Sequence, residues 1–176
     1  MQNKKLLFMT QAALIAAIYV VLTVMVAQVN LASGAIQFRI SEALCVLPFF
    51  TPAAVPGVII GCFLSNILIG SARPDIIFGT LATAIGAVLS YKFRNNRFLV
   101  TIPPVISNMI IIPFVLTYAY KIPGGIPFQM LTVGAGEVIA CVVLGSILIT
   151  AFMPVRKVIF GDAFEEANKD EKSYSL

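Results

Sequence analysis

Glu137, Glu42, Asp75, Arg39, Asn66 and Asn108 are the side chains with chemistry to offer in an otherwise apolar sequence. Glu137 is the sharpest of them, since mostly uncharged residues flank it on both sides. An acid at mid-bilayer is disfavoured by about 2.5–3.5 kcal/mol on insertion scales, so it marks a functional site unless a structural partner neutralises it. Gly134 and Gly136 beside it allow another backbone or a flat ligand to approach. Arg39 and Glu42 are three residues apart and would share a helix face. They could pair simply to fix the preceding loop, or serve as the charges of a lid over a ligand. Asp75 follows Pro74 at a helix start, where capping and the helix dipole would also explain an acid. Asn108 is a mid-span amide that must find hydrogen-bond partners, and interhelical packing could supply them. Pro113, further along the same helix, is expected to kink it and open space.

The elements that carry these residues are membrane spans. Of 176 residues, 59% are hydrophobic and 11% charged, which does not describe a soluble domain of this size. Apolar runs close to the ~20 residues that cross a bilayer recur along the chain. The expected architecture is all-α: one bundle of six transmembrane helices, at about residues 6–28, 40–51, 54–70, 75–91, 98–119 and 127–153. The first run is too long for a signal-peptide core and is expected to be retained. The second is short for a hydrocarbon core of about 30 Å and is broken by Pro52 and Pro56, so it fits a polar cavity better than a lipid-exposed crossing. Residues 1–157 are expected to form the membrane domain and residues 158–176 a polar cytoplasmic tail.

Charge orients the bundle. With six spans, one side holds Lys4, Lys5, Lys92, Arg94, Arg97, Arg156, Lys157, Lys169 and Lys172, and the other only Arg39, Arg73 and Lys121. The positive-inside bias predicts both termini in the cytoplasm. Arg39, Glu42, Asp75 and Asn66 then fall near the outer ends of spans, with Asn108 and Glu137 deeper. That is a pocket open to the outside rather than a through-pore. The same topology accounts for the basic balance, so nucleic-acid binding is not implied. The chain has no His, which excludes a His-based metal centre or a Ser-His-Asp triad, and no Walker loop for a nucleotide. Cys45, Cys62 and Cys141 are expected to be small buried hydrophobes. Ala12 with Ala16 and Ala13 with Ala17 form overlapping small-residue pairs in the first span, and Gly57, Gly61 and Ser65 repeat the pattern in the third. The alanines suit either packing within the bundle or docking of a partner near the cytoplasmic end. With no engine and no inverted repeat of a familiar carrier, a partner subunit is expected to supply the work.

Residues 37–44 (Gln-Phe-Arg-Ile-Ser-Glu-Ala-Leu), 47–54 (Leu-Pro-Phe-Phe-Thr-Pro-Ala-Ala), 61–66 and 75–83 resemble the QueT family, and the likeness runs through nearly the whole chain. The family consists of substrate-binding S components of energy-coupling factor transporters. The resemblance implies a subunit of the plasma membrane that is not an enzyme, uses no cofactor, and binds a 7-deazaguanine precursor of queuosine. It further implies docking, through Ala12, Ala13, Ala16 and Ala17, on a transmembrane coupling subunit driven by two cytoplasmic ATPases. For such a ligand Glu137 could accept two N–H bonds from the guanine-like edge. Asn108 and Asn66 could serve the carbonyl and ring nitrogen, and Glu42 or Asp75 an aminomethyl cation. The alternative is a self-sufficient proton-coupled carrier in which Glu137 cycles a proton; a scaffold without a ligand is the third class.

Overall fold

The computed structural model describes residues 4–28 and 39–160. Among them there are helices and no strands. In order they are α1 (Lys4–Gln28), a 3-10 helix (Ile40–Phe49), α2 (Ala54–Leu68), α3 (Arg73–Lys92), α4 (Ile102–Tyr118), α5 (Gly125–Glu137), α6 (Gly145–Phe152) and α7 (Arg156–Phe160). A short 3-10 turn, Leu99–Thr101, leads into α4, and a π-helical stretch, Val138–Leu144, joins α5 to α6. Lys4–Gln28, Arg73–Lys92, Leu99–Tyr118 and Gly125–Phe152 are long and apolar enough to cross a membrane, while Ile40–Phe49 and Ala54–Leu68 are shorter apolar helices. Gln37 and Phe38 of the first motif and the polar tail from residue 161 lie outside the described residues.

The short second segment is a 3-10 helix because of what surrounds it. Every residue from Ser41 to Pro48 is buried, so no face has to be polar. A 3-10 helix rises about 2.0 Å per residue, so its ten residues reach roughly 20 Å where an α-helix would reach roughly 15 Å. Around it gather Ile15 and Tyr19 of α1, Val58 and Cys62 of α2, Ala87 of α3 and Ile149 of α6. Phe50 stacks on Phe160 of α7 at 4.9 Å between ring centroids, with Phe152 edge-on at 6.3 Å. The chain therefore stays packed to residue 160.

Both ends of the described chain meet at one end of the bundle. Gln11 of α1 donates to the Ile159 carbonyl at 3.4 Å and accepts from Thr51, just after the 3-10 helix, at 2.8 Å.

The helices α1 and α2 run parallel along a seam of small residues. A Cβ added to Gly57 would lie 2.9 Å from the Ala12 carbonyl oxygen; one added to Gly61 would lie 2.7 Å from Tyr19 Cβ and 3.1 Å from the Ala16 carbonyl oxygen. The alanine pairs thus divide: Ala12 and Ala16 are buried against α2, while Ala13 and Ala17 are exposed. Overpacking a seam this close typically destabilises by about 1–3 kcal/mol. Gly61→Ala is accordingly expected to lower the thermal unfolding midpoint of the detergent-solubilised protein by several degrees, and an unshifted midpoint would show that α1 is not seated on Gly61.

Candidate functional site

Glu42 enters the bundle from the first turn of the 3-10 helix, and Glu137 from the end of α5. Together with Arg39, Asn108, Ile112 and Val133 they line one cavity of about 10 Å³. That is room for about one water molecule, so a bicyclic ligand enters only if these walls part. Among the cavity-lining residues, Ile112 and Val133 supply the apolar walls and the other four the polar ones.

The two carboxylates are differently held. Glu42 is surrounded by neutral donors: the Tyr19 phenol at 2.5 Å and, more distantly, the Thr83 hydroxyl at 3.5 Å on Oε1, and the Cys45 thiol at 3.1 Å on Oε2. Glu137 accepts from the Cys141 thiol at 3.4 Å on Oε2, and the same thiol lies 3.3 Å from the Glu42 carbonyl oxygen. Cys141 belongs to the π-helical stretch that begins immediately after Glu137. Single π turns occur disproportionately at functional sites, where the widened turn re-aims a side chain. Asn108, on α4, is buried and turns its amide to the Glu137 carboxylate, although its Nδ2 makes no well-formed hydrogen bond. A buried amide donor held this loosely forfeits part of the free energy of a good hydrogen bond, so a better-placed acceptor would gain by it.

At the start of the 3-10 helix the expected pairing is replaced by another. Arg39 forms its ion pair with Asp75 (Nη2 to Oδ2, 3.3 Å), across 36 residues of sequence, rather than with Glu42. A three-residue spacing puts two side chains on one face only when both are helical, whereas Arg39 has extended backbone, φ −110° and ψ 101°, and precedes the first helical residue. Asp75 does not act as a side-chain cap of α3. It also accepts from the Tyr120 hydroxyl at 2.9 Å, and that oxygen in turn accepts the Ala72 amide at 3.1 Å. Burial opposes the charge on Arg39 most strongly, but Asp75 together with the other acidic groups around it, Glu42 among them, outweighs it, so the guanidinium is held protonated more firmly than in water. Burial likewise pushes the Tyr120 phenol above its usual range, with Asp75 adding to the rise. Asp75 thereby ties three helix ends together: the start of the 3-10 helix, the start of α3 and the turn after α4.

Asn66 is fully buried but does not line the cavity. Its Nδ2 approaches the Cys62 sulfur at 3.6 Å, the Cys62 sulfur is 3.3 Å from the Thr83 hydroxyl, and Thr83 faces Glu42. Its Oδ1 has no partner. The three cysteines are free and buried, as expected of small apolar residues. Cys45 and Cys141 lie three and four residues after Glu42 and Glu137, a same-face spacing that could have placed them beside the acids; the roles of Cys62, Thr83 and Tyr120 have no such counterpart in the sequence pattern. Tyr19, also absent from the expected site, did carry a signal, because a tyrosine in mid-span, away from either interface, needs a partner for its hydroxyl. Two larger apolar grooves, of about 500 and 480 Å³, run along the outside of α3 and α4 through Phe78, Phe114, Leu89 and Ile106. They share no residue with the polar cavity and offer nothing to a polar ligand.

Comparison with known proteins meets this geometry from another direction. The family described as "QueT transporter" matches residues 9–154. The chain is 34% identical over 102 residues to the "Queuosine precursor transporter QueT" of Lactococcus lactis subsp. cremoris (strain MG1363), a match that covers 56% of this chain and 60% of that protein. No solved structure matches the chain.

Proposed function

The chain belongs to the QueT transporter family, and on that premise we propose that it is a membrane-embedded subunit that captures a 7-deazaguanine precursor of queuosine from outside the cell. The observation that carries this reading is the convergence of Glu42, Glu137 and Asn108 on one buried cavity. In this reading Glu137 accepts two N–H bonds from the guanine-like edge, and the Asn108 amide, loosely held beside Glu137, donates to the ring carbonyl. Asp75 is already bound to a cation, so Glu42 is the acid that faces an aminomethyl group. Arg39 and Asp75 close the outer rim, and Asn66, behind Cys62, joins the ligand only when the walls part.

The proposed architecture is six spans in one domain that runs past the expected boundary at 157 to Phe160, which is packed in the core, with the polar tail after it and both termini in the cytoplasm of a multi-pass plasma-membrane protein. The meeting of Gln11 with Ile159 supports two ends on one side, and the distribution of Lys and Arg supports the inside orientation. Energy enters through an energy-coupling factor module, a transmembrane coupling subunit with two ATPases. With Ala12 and Ala16 committed to α2, Ala13 and Ala17 are the alanines exposed for that docking.

Two measurements test the proposal. Purified protein is expected to bind 7-aminomethyl-7-deazaguanine by calorimetry, and failure to bind any 7-deazapurine would leave a scaffold reading. Liposomes containing this chain alone are expected to accumulate no ligand until the coupling module and ATP are supplied. Uptake driven by a proton gradient in those liposomes would favour the self-sufficient carrier instead.

A further inference from the structure

We propose that Tyr19 is a positioning residue for Glu42, turning that carboxylate toward the cationic substituent of the ligand. The inference rests on the ligand reading above and deepens it. Tyr19 is fully buried and does not line the cavity, so it reaches the ligand only through Glu42. Its phenol holds Oε1 at 2.5 Å while the Cys45 thiol holds Oε2 at 3.1 Å, which fixes the plane of the carboxylate from two sides.

The type of donor matters as much as the geometry. Asp75 is held by a guanidinium, which neutralises it. Glu42 is held by a phenol, a thiol and a hydroxyl, none of which brings a charge. Neutral donors orient a carboxylate and leave its charge available to a cation. The phenol reaches this depth because α1 is seated on Gly61, where Tyr19 Cβ leaves no space for an added methyl. The seam between α1 and α2 thus sets the position of a binding group on a third element.

The test compares wild type with Tyr19→Phe, which keeps the ring and its packing. Two probes are titrated by calorimetry, 7-aminomethyl-7-deazaguanine and 7-deazaguanine, and the infrared carboxyl band of Glu42 is assigned by its loss in Glu42→Gln. Tyr19→Phe is expected to weaken the aminomethyl probe by about fivefold, to leave 7-deazaguanine nearly unchanged, and to shift the Glu42 band in the ligand-free protein. An equal loss for both probes, or an unshifted band, would overturn the proposal. If wild type binds neither probe, the ligand reading fails by itself, and the band alone then decides whether Tyr19 sets Glu42.

Discussion

Glu137→Gln is expected to weaken binding of 7-aminomethyl-7-deazaguanine by roughly 2 kcal/mol or more, about thirtyfold, while the bundle stays folded. The substitution keeps the shape of the side chain. Its amide oxygen can still accept the Cys141 thiol that now meets Oε2 at 3.4 Å. What changes is the other oxygen, which becomes a donor facing the donors of the guanine edge. The loss is large because the site is buried, so no water replaces the missing acceptor. Stability should move little, and in the favourable direction if at all, because two acids share this cavity with Arg39 as the one cation lining it. Calorimetric titration paired with thermal unfolding separates the two effects. Unchanged affinity in a folded variant would remove Glu137 from the ligand site; an unfolded variant would make it a structural acid.

The cavity is legible in the sequence to the extent that burial of polar groups is a local signal. Glu137, Glu42, Arg39 and Asn108 stand out because each interrupts or borders an apolar run, and all four line one cavity. Their partners are not legible, for two physical reasons. Spacing rules hold only within a known helix type, and Arg39 precedes a 3-10 helix with extended backbone, so its face cannot be counted from Glu42. Apart from Cys45 and Cys141, which follow Glu42 and Glu137 at helical spacings of three and four, the remaining contacts are long in sequence: Tyr19 to Glu42 spans 23 residues, Thr83 to Glu42 spans 41, and Tyr120 to Asp75 spans 45. No periodicity encodes them. The fold shows the same division. Helix boundaries follow hydropathy closely, yet the 3-10 and π segments arise from packing on neighbours, which composition does not carry. The alanine pairs are visible as a pattern, but only the glycines of α2 decide which pair is covered.

Asp75→Asn is expected to weaken the same ligand by about tenfold, with a smaller loss of stability than a broken buried ion pair usually brings. The reason lies in where the freed cation can go. The asparagine side chain keeps the shape and can still accept the Tyr120 hydroxyl, so the turn after α4 stays tied to α3. Arg39, no longer neutralised, lines a cavity that also holds Glu42 and Glu137. Its guanidinium forks readily onto a carboxylate and would then compete with the N–H donors of the ligand. Pairing anew in this way limits the damage to folding while occupying the site. Adding Arg39→Met to Asp75→Asn should therefore recover most of the lost affinity, because the competitor is gone. A further fall in the double variant would instead make Arg39 a direct ligand contact, and the coupling energy of the cycle measures which role prevails.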